Sequence, residues 1–168
     1  MPSRIVKTTH VLRQAGAIAA AATLTLALMN ARANPGGESS PAEPPPPTAE
    51  ARKLIDKGRW RDAIAELQRV NQPKNAEWNN LMGYAHRKLE APDLDAAQRY
   101  YDAALGIDPK HRGALEYSGE LYLMKNDVAS AKKRLEQLEA ACGNKRCEEY
   151  RDLEVAIGKH EAKAPVAR

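Results

Sequence analysis

Trp78 to Pro109 reads WNNLMGYAHRKLEAPDLDAAQRYYDAALGIDP, and Ala114 to Leu138 reads ALEYSGELYLMKNDVASAKKRLEQL. Apolar residues recur in both stretches at the three- and four-residue steps of a helix, and no strand-like alternation interrupts them. A longer period lies over this one. Ala63, Ala97 and Ala131 stand 34 residues apart, and the same step joins Leu67, Tyr101 and Leu135. It also joins Val70, Ala104 and Leu138, and again Trp60, Leu94 and Val128. Four columns in register over three copies describe a helix–turn–helix unit that stacks on its own repeats. The residue types suit the task. A small alanine in the middle of the second helix lets its partner approach, and the positions four and seven further on fill the same face. Gly58 and Asn126-Asp127 loosen the chain between paired helices, with Asp127 placed to cap the next helix. Ile107-Asp108-Pro109 closes the second unit, because proline restricts the residue before it and can start a new helix.

These residues resemble tetratricopeptide repeats. Trp78, Gly83, Ala97, Tyr101, Ala104 and Pro109 match that signature in the second copy, and Gly119, Tyr122, Ala131, Leu135 and Leu138 match it in the third. The first copy, Ala49 to Val70, departs more: Ala51, Leu54, Gly58, Trp60 and Ala63 fit, but its proline comes early, at Pro73. Aligning Gly83 on Gly119 also requires two extra residues around Glu90 to Pro92. The fold expected is all-α, a short α-solenoid of three helix pairs. The pairs are predicted at 48–57 and 60–71, 75–90 and 93–106, and 110–125 and 127–141. A further helix at 145–160 carries an apolar stripe of Tyr150, Leu153, Ala156 and Ile157, opposed by Glu148, Glu149, Arg151, Asp152 and Lys159. It suits a solvating cap for the last repeat, with partner binding as its alternative use.

The resemblance implies a protein-interaction scaffold in which the first helix of each pair lines a concave groove. Asn80, Tyr84, Arg87 and Lys88 from the second copy would face it, with Glu116, Glu120, Leu123 and Met124 from the third. A basic patch beside an acidic one, with Tyr84, Leu123 and Met124 between, suits an extended or helical peptide. Some members clamp a peptide C-terminus with basic residues. Gly113 and Tyr117 stand at those positions here, so that specificity does not transfer.

The chain has 168 residues with 26 Lys+Arg against 22 Asp+Glu, a formal net charge of +4. The surplus is local. Residues 1–33 hold Arg4, Lys7, Arg13 and Arg32 and no acid, leaving 22 basic and 22 acidic residues after them. Within that leader Ala15 to Met29 is uncharged, and Ala31-Arg32-Ala33 gives a small-x-small cleavage pattern. This is the anatomy of a secretory signal peptide cleaved after Ala33, and the apolar run is too short for a comfortable membrane span. The expectation is a periplasmic or secreted protein with no integral span after cleavage. Its neutral remainder gives no electrostatic support to nucleic-acid binding. Residues 34–47, NPGGESSPAEPPPP, read as a Pro-rich spacer, and 162–168 as a flexible tail. The repeats occupy 48–141, with a junction and cap at 142–161.

Cys142 and Cys147 bracket Gly-Asn-Lys-Arg at that junction. In an oxidising compartment a disulfide is the default reading. Two others compete: a redox dithiol favoured by Lys145 and Arg146, and a metal site using both sulfurs with His160 or His111. Catalysis finds little material. Beyond the leader the serines are Ser39, Ser40, Ser118 and Ser130 and the histidines His86, His111 and His160, dispersed over linker and helices. No Gly-rich phosphate loop or H-E-x-x-H motif occurs. The sequence thus predicts a non-catalytic scaffold without cofactor or metal that binds a protein or peptide, with a thiol-disulfide or metal-handling accessory as the alternative.

Overall fold

The structure, a computed structural model, describes residues 45–163, so the predicted leader, most of the spacer and the end of the tail lie outside the described residues. Those described form seven helices with no strand among them: α1 Ala49–Asp56, α2 Trp60–Val70, α3 Ala76–Arg87, α4 Leu94–Ile107, α5 Arg112–Met124, α6 Val128–Cys142 and α7 Glu148–Lys163. Four of the seven starts, those of α3 to α6, are capped by a side chain. Asn75, Asp93 and Asp127 accept hydrogen bonds from the backbone N–H groups of Trp78, Ala96 and Ser130, and His111 Nδ1 accepts one from Ala114. These caps satisfy donors that have no partner inside the helix. Asp108, held extended before Pro109, ends α4.

Short connections fold α1 onto α2, α3 onto α4 and α5 onto α6 as antiparallel pairs. The second helix of each pair packs on the first helix of the next, and first helices touch one another: α1 on α3, α3 on α5, α5 on α7. Helix α7 thus takes the place that a fourth pair's first helix would hold. The repeat columns account for the core. Ala63, Ala97 and Ala131 are fully buried, as are Leu67, Tyr101, Ala104 and Leu138. One cluster joins Ala51, Leu67, Trp78, Leu81 and Met82, where Trp78 Nε1 donates to the Leu67 carbonyl at 2.7 Å. A second holds Ala97, Tyr101, Ala104, Ala114 and Leu121. The third holds Leu115, Leu123, Ala131 and Leu138 against Tyr150, Leu153 and Ile157 of α7.

The two repeat glycines serve close approach. A Cβ on Gly83 would stand 2.7 Å from Tyr101 Cε1, and one on Gly119 would stand 2.5 Å from Leu153 Cδ2. Three boundaries differ from the periodicity by three residues. Helix α3 stops at Arg87, where 90 was expected, because the extra residues before Pro92 pass into a six-residue connection at 88–93. Helix α7 starts at Glu148, where 145 was expected, because the turn closed by the two cysteines runs to Cys147. It ends at Lys163, three residues past the expected 160, since nothing before Pro165 interrupts helical hydrogen bonding.

Cys142 and Cys147 form a disulfide, their Cα atoms 6.2 Å apart, across the turn between α6 and α7. The closed loop is short, so chain entropy alone assigns it about 2 kcal/mol. Replacing both cysteines by serine is expected to lower the unfolding free energy in urea by about that amount. Hydrogen exchange should rise mainly in α7, the helix that the bond anchors. Uniform acceleration across α1–α6 would contradict this local role.

Candidate functional site

A pocket of about 730 Å³ opens on the face formed by α1, α3, α5 and α7. Arg52, Ile55 and Asp56 come from α1, Glu77, Asn80, Leu81 and Tyr84 from α3, Glu116 and Tyr117 from α5, and Glu148, Glu149 and Asp152 from α7. The α4–α5 connection and first turn of α5 close one side with Asp108, Lys110, His111, Arg112 and Gly113. Seven carboxyl groups therefore face three permanent cations and one histidine.

The cations are largely occupied. Arg52 lies 2.9 Å from Glu77 Oε1, and Arg112 lies 3.4 Å from Glu149. His111 uses Nδ1 to cap α5, which leaves its protonated Nε2 facing Glu77 Oε2 at 3.0 Å. Just beyond the lining, Arg87 meets Glu120 at 2.6 Å with its guanidinium near the Tyr84 and Tyr117 rings, 5.4 and 5.6 Å from their centroids. Tyr84 and Tyr117 touch, centroids 4.6 Å apart, and form an aromatic wall. Burial raises the phenol pKa of both, Tyr117 up to about 12.

Glu116 is 8% exposed and makes no ion pair or hydrogen bond among the described residues. Burial, then the nearby charges of Glu120, Asp152 and Glu149, push its pKa up to about 8, with Arg87 pulling the other way. In the free protein at neutral pH it is mostly protonated. A carboxyl raised from about 4.5 to about 8 on folding contributes stability fully present below pH 4.5. That contribution is lost as the pH climbs to 8. Glu116→Gln is therefore expected to match the wild type near pH 5 and to exceed it by on the order of 2 kcal/mol near pH 9. Thermal melts across that range check it; parallel pH profiles would contradict it.

Of the residues expected in a groove, Asn80, Tyr84 and Glu116 line the pocket. Arg87 and Glu120 neutralise each other beside it. Lys88 is exposed and lies over Trp60 and Tyr84, and Met124 is exposed at the end of α5, neither on the lining. Leu123 does not face a groove; it is 7% exposed and packs into the core between α5, α6 and α7. The expected basic patch is thereby corrected, since Arg87 is consumed internally and the pocket itself is acidic. Sequence reasoning missed Arg52, Asp56, Glu77, His111, Glu149 and Asp152. The last two read as the solvated side of a cap, yet α7 continues the row of first helices and so presents them to the pocket.

The cysteine alternatives lose ground here. Both sulfurs are bonded to each other, so neither offers a thiolate, and the carboxylate beside them belongs to Glu149. Lys145, expected to stabilise a thiolate, instead lies 3.6 Å from Glu139. His111 is engaged as a cap. His86 is half-buried and stacks on Tyr100, with its pKa lowered by burial.

The tetratricopeptide repeat family model matches residues 88–156, the stretch running through α4, α5, α6 and half of α7. Among solved structures the chain is similar to the Yersinia enterocolitica type III secretion translocator chaperone SycD in an alternative dimer. The TM-score is 0.57 at 19% identity, covering 68% of this chain and 86% of that one. The fold is a tetratricopeptide-like helical solenoid. No curated protein matches the chain. The solenoid carries no helix among the described residues long and apolar enough to cross a membrane.

Proposed function

We propose that the chain is an exported, non-catalytic scaffold that holds a segment of a partner protein in the groove formed by α1, α3, α5 and α7. The observation that carries this reading is the pocket itself. Four successive first-of-pair helices contribute to one open cavity of about 730 Å³, which is a binding shape. Its side chains include no hydrogen-bonded nucleophile and base, because His111, the histidine present, is fixed between a helix cap and Glu77. Stacked helix pairs bind extended or helical segments along such a face.

Export rests on the leader and on the disulfide. The basic, acid-free residues 1–33 with their apolar run fit secretion, and a bonded cysteine pair suits an oxidising compartment. The mass of the chain recovered from the periplasm or medium should correspond to a start at Asn34.

Photocrosslinking tests the groove. A photoreactive residue at Lys110 or Asp152, both exposed at the pocket, should capture a partner in the cells that make the protein. The same residue at Lys133, exposed on α6, should not. Equal capture at all three positions would refute the groove assignment.

A further inference from the structure

The pocket contains more acceptor than its own cations use. Asn80 is 4% exposed and lines the pocket, yet its Oδ1 has no hydrogen-bond partner, while its Nδ2 reaches Glu77 at 3.4 Å. Glu116, 8% exposed, also lines the pocket and makes no hydrogen bond or ion pair among the described residues. Asp152 and Asp56 stand at the rim without an ion pair among the described residues. Buried acceptors left without donors are costly and uncommon in folded proteins, and a ligand that supplies the donors recovers the loss. The residues after the leader are balanced, 22 basic against 22 acidic, so this acidity is concentrated by the fold and is not a property of the whole chain.

Building on the groove reading above, we propose that the bound partner segment presents an arginine side chain, whose guanidinium enters the pocket between α3, α5 and α7. There it donates to Glu116, Asn80 Oδ1 and Asp152. Three features favour guanidinium over ammonium. The acceptors belong to different helices, which suits a planar group with five donors spread around its edge. Tyr117 offers an aromatic face beside Glu116, and guanidinium stacks on such faces. The molecule already treats its own Arg87 this way, seating it by Tyr84 and Tyr117 with Glu120 as counter-ion. The incoming cation reverses the electrostatic situation of Glu116. Burial, and then repulsion from Glu120, Asp152 and Glu149, disfavours its ionisation in the free protein, with Arg87 opposing them. A bound guanidinium favours the carboxylate, so binding releases a proton and strengthens as the pH rises towards 8. Arginine keeps its charge throughout that range.

The test is an NMR titration of the full folded chain with Nα-acetyl-arginine amide, a minimal peptide unit. Saturable shifts are expected at Gly113, Tyr117 and the Asn80 side-chain amide, with a Kd in the millimolar range, roughly 4 kcal/mol of binding. Affinity should fall about tenfold between pH 9 and pH 6. Asp152→Asn, an exposed change, should weaken binding several-fold, and Glu116→Gln should remove most of the pH dependence. Nα-acetyl-lysine amide should bind several-fold more weakly, and Nα-acetyl-glutamate amide should leave the pocket signals unmoved. Shifts that never saturate, equal responses to arginine and lysine, or unchanged affinity in Asp152→Asn would each overturn the proposal. A partner that crosslinks at Lys110 while the arginine probe fails would leave the groove reading intact and remove only this inference. Arginine binding without any crosslinked protein would do the reverse.

Discussion

Tyr101→Ala should destabilise the fold by about 4 kcal/mol, among the largest losses available to a single substitution in this chain. The ring is fully buried in the second core cluster, and Gly83 of α3 rests directly on it. The hydroxyl contributes less than the ring, because it lies beside the Arg87 guanidinium without a well-formed hydrogen bond to it. Tyr101→Phe should therefore stay close to wild type while the alanine variant falls. The pairing with Gly83 gives a sharper test. Gly83→Ala alone places a methyl 2.7 and 2.8 Å from two ring carbons, so the ring or the helix must shift, at about 2 kcal/mol or more. With the ring removed, the same methyl enters vacated space, and helix propensity favours alanine over glycine by about 1 kcal/mol. The double variant should thus be more stable than Tyr101→Ala. Urea denaturation of the four proteins decides it; simple additivity would show that the contact does not limit the approach of α3 and α4.

Arg87→Ala should cost about 3 kcal/mol by a different route, the lower end for a broken buried pair because Glu120 keeps 30% of its side chain exposed. Arg87 is 7% exposed and 2.6 Å from Glu120, so its loss leaves Glu120 without its cation close to the already unpartnered Glu116. The penalty belongs to the stranded charge more than to the lost contact. Removing both members, as Arg87→Met with Glu120→Leu, should therefore be much milder than Arg87→Ala. A double variant as unstable as the single one would locate the loss in packing on Tyr84 and Tyr117. For the same reason, reversing either charge alone would report on folding before it reported on any partner.

Much of this architecture is legible along the chain because repeats express tertiary contacts at short range. Ala63, Ala97 and Ala131 recur at one spacing since each occupies the same site, the close approach between paired helices, and all three are fully buried. The caps at Asp93 and Asp127 and the stop at Asp108-Pro109 are local hydrogen-bonding and steric effects, so they too can be read directly. Connection length is less legible. The extra residues near Pro92 signal an insertion, but only packing decides whether α3 lengthens or the loop does.

The candidate site divides in the same way. Asn80, Tyr84 and Glu116 follow from repeat position, because each repeat turns the same face of its first helix inward. The same rule fails at Leu123, which lies deeper in the last pair because α7 covers it. Periodicity also cannot tell whether Arg87 and Glu120 face a partner or each other, since they lie on different helices and their separation depends on how α3 packs on α5.

The sequence by itself determined the helix pairs, their repeat, the cysteine junction and the charge balance of residues 34–168. Helix periodicity, capping and composition act within a few residues or one repeat. Only the tertiary structure decided the character of the site, because charge in a pocket is a sum over elements distant in sequence. Asp56 of α1, Glu77 of α3, Glu116 of α5 and Asp152 of α7 meet when four helices are stacked in order. Burial then favours the proton on Glu116, a property that no single helix carries in its own sequence.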